Sequence, residues 1–395
     1  MKKSAISRMR DIQHFGEEGA VVPAIDVGAT STFMNPEDMD KTFTGELQGC
    51  YLYSRHSNPT VNIFGKKMAA MEGSEAAVGL ASGMAAISLA VQQTLINENG
   101  SHVVSSQTVY GGTYALFKNV FPKIGFRVSF VNTLNLDEVE QAITPQTKVL
   151  YAETLSNPLL NLTNIKKLAD LAKKYQLKLI IDNTFAPLII FPIEHGADVV
   201  IHSCTKYISG SSDLIAGAIC GTSDFINTLI DVNHGLLMLN GSIMDPKIAH
   251  ELYLRLDHLE PRMKAHSEMA LYLAKKMKEA GLKVIYPGLK DYPQYDLFES
   301  IFDKSIGHGG LVTLELKNAD EAKKMAQKLQ DNIFGLYAVS LGFSRTLMSC
   351  SAKSTSSEIP KDEQEKMGLS EGLLRLSIGY TGDKDQMWER FKRSL

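Results

Sequence analysis

Two apolar segments near the middle of the chain end in side chains that could do chemistry. The segment LKLIIDN carries Asp182 near its end, and the segment ADVVIHS ends at Ser203. Thr205 and Lys206 follow closely. Both segments are typical of buried β-strands, and the chemistry of parallel sheets gathers at the carboxyl ends of the strands. We therefore predict that an acid, two hydroxyl groups and a lysine share one site.

A turn of small residues upstream predicts an anion site. Ser82, Gly83 and Met84 precede a helical pattern, and the free N–H groups at a helix N-terminus attract anions such as phosphate. A lysine, an acid and a phosphate site together indicate pyridoxal 5'-phosphate. That cofactor needs a lysine for covalent attachment, a carboxylate for its pyridinium nitrogen and a phosphate pocket. Each signal alone is weak, because a lysine after a strand is most often a surface residue.

A charged residue interrupts a later apolar segment. Arg375 lies within LLRLSIG, and an unpaired guanidinium group in a buried strand is energetically costly. A carboxylate ligand explains its position better than chance does, since it pairs with arginine through two hydrogen bonds. A metal site is not expected at His195 or His202, because the sequence offers no helical His pair or flanking acid to complete one.

The elements that position these residues follow from hydrophobic patterning. Short apolar runs alternate with helical patterns from about residue 74 to 245, which predicts an α/β fold with a mostly parallel sheet covered on both faces. The predicted strands lie at 102–106, 126–131, 148–153, 177–182, 197–203 and 214–221, and the predicted helices at 112–121, 164–175 and after Ser82.

The flanking parts of the chain differ from this pattern. Residues 1–60 have weak periodicity and many turn formers, which indicates an extended arm, and Asn58-Pro59-Thr60 then predicts a helix that ends at Gly73. After Asp245, a smaller α+β domain is expected. Its predicted elements are one long helix at 246–280, strands at 310–316 and 373–378, helices at 319–331 and 383–392, and a mobile polar loop at 349–370.

Composition excludes several classes of protein. The chain has 395 residues, a length typical of two to three domains. Lys plus Arg is 41 and Asp plus Glu is 44, so the net charge of −3 gives no electrostatic basis for binding nucleic acid or an anionic membrane. None of the four cysteines forms a CxxC pair, which fits a reducing cytoplasm. The sequence has no apolar run long enough to span a membrane and no secretory signal pattern.

The motifs, in their order along the chain, resemble the cystathionine γ-synthase-like family of pyridoxal-phosphate enzymes, which acts on sulfur amino acids. The resemblance extends over nearly the whole chain. The matching motifs are YSR at 53–55, SGM at 82–84, VYGGT at 109–113, ET at 153–154 with NP at 157–158, IDNT at 181–184, SCTKY at 203–207, SLG at 340–342 and RLSIG at 375–379.

The resemblance implies an aspartate-aminotransferase-like fold, known as fold type I, and a role for each motif residue. Lys206 is expected to bind the cofactor and move the Cα proton, Asp182 to pair with the pyridine nitrogen, and Tyr110 to stack on the ring. The expected phosphate ligands are Gly83, Met84, Ser203 and Thr205 with Tyr53 and Arg55 of a neighbouring subunit, and the expected substrate ligands are Asn157, Ser340 and Arg375.

The same resemblance implies three parts and an assembly. We expect an N-terminal arm at 1–60 that contributes to the neighbouring subunit's site, a cofactor-binding domain at 61–245 and a small C-terminal domain at 246–395. Because the arm would act in trans, a homotetramer made of two active-site dimers is expected.

The sequence departs from each branch of the family at a few positions. Gly112 stands where methionine γ-lyases usually carry cysteine, and Val339 where γ-synthases and many cystathionine γ-lyases carry glutamate. Ser211 stands where many members carry histidine. We therefore expect a carbon–sulfur lyase that cleaves a sulfur amino acid, with cystathionine as the first choice of substrate. A methionine γ-lyase, a γ-replacement transferase acting on an activated homoserine ester, and a non-catalytic relative are the alternatives.

Overall fold

The computed structural model describes residues 3–12, 20–44, 46–47, 49–350 and 360–395. The helices in these ranges are α1 Ala5–Arg10, α2 Pro36–Phe43, α3 Pro59–Glu72, α4 Gly83–Asn97, α5 Gly111–Ala115, α6 Leu136–Gln141, α7 Ile165–Lys174, α8 Ser223–Ile230, α9 Leu236–Asn240, α10 Pro246–Leu256, α11 Leu259–Glu279, α12 Tyr295–Ile301, α13 Ala319–Asp331, α14 Lys361–Lys366 and α15 Lys384–Lys392. The strands are β1 Ala76–Leu80, β2 His102–Ser106, β3 Arg127–Val131, β4 Thr147–Glu153, β5 Lys178–Asp182, β6 Val199–Ser203, β7 Gly217–Gly221, β8 Val284–Ile285, β9 Leu311–Glu315, β10 Leu336–Tyr337, β11 Leu347–Cys350 and β12 Leu373–Ser377.

The larger sheet has the strand order β1-β7-β6-β5-β4-β2-β3 within the described residues. Its strands from β2 to β6 run parallel, whereas β7 is antiparallel to both β6 and β1. The six strands predicted from the sequence are confirmed, as is the mostly parallel α/β fold. Strand β1, with the sequence AAVGL, was not predicted, because alanine and glycine have low β-propensity.

Both faces of the larger sheet are covered, which explains the continuous apolar strand sequences. Leu179 and Ile181 of β5 belong to one buried cluster, and Ile180 between them belongs to another on the opposite face. Successive strand residues point to opposite faces, so a strand covered on both sides must be apolar at every position. Burial of one such side chain contributes about 1.5–3 kcal/mol.

Helices α3 and α4 begin and end where their capping residues predict. The Asn58 side chain accepts hydrogen bonds from the amides of Thr60 and Val61, and Gly73 ends α3 at a φ of 76°. The Ser82 hydroxyl accepts from the amide of Ala85 at 3.0 Å and so caps α4. The start of α4 therefore lies at a defined position beside the large sheet.

The smaller sheet has the order β10-β11-β12-β9-β8. The single helix predicted at 246–280 is wrong, because α10 ends at Leu256 and α11 starts at Leu259. Leu252 of α10 and Leu259 at the start of α11 pack in the same cluster as Ile181, whereas Leu273 further along α11 packs in the cluster of the smaller sheet. Helix α11 therefore runs from one core to the other.

Two further expectations need correction. In the predicted loop at 349–370, residues 349–350 belong to β11, and Met367 and Leu369 are buried against the large sheet. Residues 351–359 lie outside the described part of the chain. The predicted helix at 112–121 is α5 followed by a π-helical turn at 116–120 and a 3-10 turn from 121.

The described part of the N-terminal arm contains helices α1 and α2, and the segment between them carries exposed apolar side chains. Thr30 and Tyr53 form an isolated antiparallel bridge. Val21 and Met34 are 95% and 101% exposed, which is unusual for apolar side chains of a folded chain. No helix among the described residues is long and apolar enough to cross a membrane.

Candidate active site

A cavity of about 360 Å³ lies at the carboxyl ends of β4, β5 and β6, between the two sheets. Its lining brings together ten of the twelve site residues expected from the sequence. These are Gly83, Met84, Tyr110, Asn157, Asp182, Ser203, Thr205, Lys206, Ser340 and Arg375. The residues come from segments far apart in the chain, and the parallel sheet gathers them as the strand pattern predicts.

One end of the cavity has the features of a phosphate site. The N-terminus of α4 faces Ser203 so closely that a Cβ atom on Gly83 would lie 2.7 Å from the Ser203 Cβ. The Thr205 hydroxyl accepts from the amide of Ala216 at 3.0 Å, and the Thr184 hydroxyl accepts from the amide of Ser203 at 2.8 Å. Free helix amides beside hydroxyl groups fit the phosphate group of pyridoxal phosphate.

Lys206 lies in the middle of the cavity. Its Nζ donates to the Ser340 Oγ at 2.9 Å, and Ser340 has a φ of 86°, which non-glycine residues seldom adopt. Burial, and secondly the charge of Arg375, lowers the pKa of Lys206 from 10.5 to about 8. With this pKa, roughly one tenth of the amine is neutral at pH 7, far more than for an ordinary lysine, and the neutral form is the one that acts as a nucleophile or a base.

Asp182 and Glu153 form a pair of acids at the floor of the cavity. They are direct neighbours in the β4–β5 register. Burial raises the pKa of Asp182, whereas a hydrogen bond of 2.9 Å from the Thr184 amide opposes the rise. Burial and the nearby Asp182 charge hold the pKa of Glu153 well above its usual range. A cationic ring nitrogen beside Asp182 would offset the cost of this buried charge, so the site fits a pyridinium group.

Glu153 also fixes the position of Tyr110. Its Oε1 accepts a hydrogen bond from the Tyr110 backbone amide at 2.6 Å. Tyr110 lies just before α5, and its side chain is 44% exposed at the cavity wall. Tyr110 thus lines the cavity while its backbone is held by Glu153.

Arg375 is the buried cation on the opposite side of the cavity. Its side chain donates to the Asn157 Oδ1 at 3.0 Å and to the Ser340 carbonyl at 2.8 Å. The Arg375 Nε has no hydrogen-bond partner among the described residues, although it is buried. Burial lowers the pKa of Arg375 to about 10. A substrate carboxylate would satisfy the free donor and compensate the charge.

Two expected site residues do not line this cavity. Arg55 donates to the Met238 carbonyl at 2.8 Å, and Tyr53 is 46% exposed. Their expected role as phosphate ligands of a neighbouring subunit stays a prediction.

Sequence reasoning assigned no role to several residues that the structure places at the site. Glu153 and Thr184 stand inside quoted motifs, at or just after the ends of the strands predicted at 148–153 and 177–182, and this position was the available signal. Ser349 pairs with Arg375 in the β11–β12 register, and its buried Oγ has no partner among the described residues.

The mouth of the cavity is apolar. Ile215 and Val339 are 65% and 63% exposed there. Phe185, Leu155 and Leu341 are further apolar residues of the cavity lining. An uncharged, apolar end of a substrate fits this mouth better than a charged one.

Comparisons with known proteins agree with this chemistry. Residues 7–395 match the family model described as Cys/Met metabolism PLP-dependent enzyme. The chain is 42% identical to the methionine gamma-lyase of Arabidopsis thaliana, with 100% of this chain and 92% of that protein covered. It is 35% identical to a cystathionine beta-lyase of Bacillus subtilis, with 93% of each covered. A solved structure of a putative O-acetylhomoserine (thiol)-lyase from Campylobacter jejuni, with N'-pyridoxyl-lysine-5'-monophosphate, has a TM-score of 0.89 at 27% identity and covers 99% of each chain.

Proposed function

The chain belongs to the Cys/Met metabolism family of PLP-dependent enzymes and is a carbon–sulfur lyase, and we propose that it cleaves methionine by elimination at Cγ. The reaction consumes water and yields methanethiol, ammonia and 2-oxobutanoate. The apolar mouth formed by Ile215 and Val339 carries the proposal. Methionine ends in an uncharged thiomethyl group, whereas the far end of cystathionine bears an ammonium group and a carboxylate.

The charged side chains of the described cavity lining support the same choice. They are Glu153, Asp182, Lys206 and Arg375. Asp182, Lys206 and Arg375 have proposed tasks at the cofactor or at the α-carboxylate of the substrate. Glu153 accepts the hydrogen bond of the Tyr110 amide, so no charged side chain of this lining is left for a second amino-acid head group. The resemblance to the Arabidopsis methionine gamma-lyase points in the same direction.

The proposed binding of the substrate uses the buried arginine. Arg375 pairs with the α-carboxylate, and Asn157 and the Ser340 carbonyl hold the guanidinium group in place. An arginine fixed in this way orients the Cα–H bond towards Lys206, because a bidentate pair restricts rotation. Positional restriction of this kind lowers the barrier for proton transfer.

Lys206 moves the protons in the proposed mechanism. When bound, the cofactor ring accepts the electron pair that is left at Cα. The Lys206 amine, whose pKa is lowered by burial, takes the Cα proton. After it has released that proton, the amine takes a second proton from Cβ, and the thiol leaves from Cγ. In the proposal, Tyr110 stacks on the ring and assists the leaving thiol; its position in the cavity lining and the hydrogen bond of its amide to Glu153 support this role.

The proposal includes an assembly and a compartment. Tyr53 and Arg55 hold the phosphate of a neighbouring subunit, together with Gly83, Met84, Ser203 and Thr205 of that subunit. The exposed apolar arm and the position of Arg55 outside its own cavity support this arrangement. We propose a homotetramer of two active-site dimers that works in the cytoplasm on a small amino-acid substrate.

A panel of substrates tests the proposal on the purified holoenzyme. Methionine, cystathionine and O-acetylhomoserine with and without a thiol are compared by kcat/KM. Methanethiol and 2-oxobutanoate from methionine at the highest kcat/KM are the expected result. A higher kcat/KM for cystathionine would instead assign the function of the Bacillus relative, and a thioether product from the homoserine ester would assign a transferase.

A further inference from the structure

A buried polar cluster lies behind the candidate active site, on the other face of the large sheet. We call Glu72, Asn183 and His202 the Glu72 cluster. The Glu72 Oε1 accepts from the His202 Nε2 at 2.6 Å and from the Asn183 Nδ2 at 3.1 Å. Each of the three residues is 0% exposed. No step of the proposed reaction uses them.

The cluster is attached to the two strand ends that carry the site. Asn183 directly follows Asp182, and His202 directly precedes Ser203. Because successive residues of a strand point to opposite faces, Asp182 and Ser203 face the cavity while Asn183 and His202 face the cluster. The Asn183 amide donates to the Ile201 carbonyl at 2.8 Å, which continues the ladder between these strands.

A single oxygen atom of Glu72 thus joins the ends of β5 and β6. Glu72 is the last residue of α3, and Phe64, Met68 and Met71 of this helix are buried in the core. The carboxylate is therefore presented from a fixed element. Because the ends of β5 and β6 share this acceptor, the distance between them is fixed. The distance between Asp182 and Ser203, which point to the opposite face, is fixed as well.

If the cluster served stability alone, the burial of its polar atoms would be energetically unfavourable. The Glu72 Oε2 and the His202 Nδ1 have no hydrogen-bond partners among the described residues. A buried acid–imidazole pair with unsatisfied atoms contributes less to stability than apolar residues of the same volume would. In addition, the charge of His202 opposes the rise in the pKa of Asp182 that burial causes.

We propose that Glu72 and His202 are positioning residues that hold Asp182 and the Ser203–Lys206 segment at the separation the bound cofactor requires. The inference rests on the proposed roles of Asp182 and Lys206, but not on the identity of the amino-acid substrate. Glu72 and His202 act through the strand ends, since neither residue lines the cavity.

The experiment compares His202→Asn and Glu72→Leu with a matched control, His102→Asn. His102 is a buried histidine of the same sheet that bonds the Thr147 Oγ1 at 2.6 Å and the Ser129 Oγ at 3.0 Å, but it lies at the amino end of β2. Three quantities are measured for each variant: the Kd of pyridoxal phosphate for the apo chain, the visible absorbance of the bound cofactor, and the Tm of the apo chain.

Both cluster variants are expected to raise the cofactor Kd about tenfold and to shift the visible band. Removal of side chains that hold the binding residues in place commonly has effects of this size. The cluster variants and His102→Asn are expected to lower Tm by similar amounts, but His102→Asn should leave the cofactor Kd and the visible band unchanged. With the sulfur amino acid that is turned over, kcat of the cluster variants falls while KM stays within about twofold, because Arg375 is untouched.

An unchanged Kd and band in His202→Asn, with a Tm loss equal to that of His102→Asn, would overturn the proposal. If these variants do not fold, Glu72→Asp is measured instead, since it keeps the charge and shortens the link by one methylene. A wild-type Kd and band in that variant would likewise overturn it. Kd and absorbance are recorded without substrate, so a failure of methionine cleavage does not affect this result.

Discussion

Lys206 lies in surroundings that disfavour its protonated form, and this has a measurable consequence. Its pKa is lowered to about 8, first by burial and then by the charge of Arg375. The neutral amine is the nucleophile, so the rate of covalent cofactor attachment to the apo chain should rise with pH through a midpoint near pH 8 and level off above roughly pH 9. In Arg375→Gln one of the two causes is removed, so the pKa rises and the midpoint moves to higher pH.

Stopped-flow absorbance of the apo chain mixed with pyridoxal phosphate measures this midpoint. Arg127→Gln is the matched control, since Arg127 is exposed at the start of β3. The control should keep the wild-type midpoint. If Arg375→Gln also kept it, the charge of Arg375 would have no part in tuning Lys206.

Val339 is the residue at which substrate choice can be tested. In Val339→Glu a carboxylate enters the apolar mouth, where it attracts a distal ammonium group and disfavours a thiomethyl group. We expect kcat/KM for methionine to fall about tenfold and the ratio of cystathionine to methionine cleavage to rise. Val120→Glu changes another exposed valine, 46% exposed and absent from the cavity lining, and should leave the ratio unchanged. Equal effects of the two substitutions would remove Val339 from the specificity site.

A single residue can be identified as a site residue from the sequence when its type conflicts with the neighbouring sequence. Arg375 is such a residue, because a guanidinium group in an apolar strand needs a ligand. Ser349 is not, since a serine near the end of a strand is ordinary until the strand pairs it with Arg375. Pairing between β11 and β12 depends on tertiary structure, which the local pattern does not contain.

The N-terminus of α4 is the element on which the phosphate site depends. Gly83 stands at its first turn, and a Cβ there would lie 2.7 Å from the Ser203 Cβ. Within a helix, alanine is more favourable than glycine by about 1 kcal/mol, so Gly83→Ala should not weaken the helix itself. We expect the substitution to raise the Kd of pyridoxal phosphate more than tenfold, because the start of α4 must move away from the end of β6 to make room for the added methyl group.

Absorbance titration of the apo chain measures this Kd, and Gly221→Ala serves as the control. Gly221 is a strand glycine of the same sheet, and the nearest atom to an added Cβ would be the Asp198 carbonyl oxygen at 3.3 Å. Its substitution should leave the Kd within about twofold of wild type. A wild-type Kd in Gly83→Ala would show that the phosphate does not bind at the start of α4.

The positions of helices and strands were predictable where the local sequence pattern determines them. Helix α3 follows from Asn58, Pro59 and Gly73, and β2 to β6 follow from apolar runs covered on both faces. The break between α10 and α11 was not predictable, because the apolar pattern continues across it and Leu256 and Leu259 on its two sides are buried in the same cluster. Strand β1 depends on its partner β7 more than on its own alanines and glycine.

The described residues of one chain form a cavity but leave the arm without an evident task. Arg55 is held by the Met238 carbonyl, and Val21 and Met34 expose nearly their whole side chains. The division into parts at residues 60 and 245 stays a prediction, as does the role of the arm in a neighbouring site. If Arg55 acts in trans, each active site needs two chains, and if it acts in cis, one chain is sufficient.

Mixing two inactive variants separates these cases. Arg55→Ala and Lys206→Ala each lose most activity alone, because every site of either homodimer has a defect. In a mixed dimer that acts in trans, one site combines the intact Lys206 of one chain with the intact Arg55 of the other, and the second site carries both defects. Random exchange makes half of the dimers mixed, so activity should recover to about one quarter of wild type.

The measurement is the rate of 2-oxo acid formation after exchange, with mass spectrometry of tagged chains to prove that mixed dimers have formed. Arg127→Ala mixed with Lys206→Ala is the control for dilution, because Arg127 lies away from the cavity lining and that chain is active by itself. Mixed dimers without recovered activity would place Arg55 in the site of its own chain. The exposed arm would then need another partner surface, and one chain would be sufficient for a complete phosphate site.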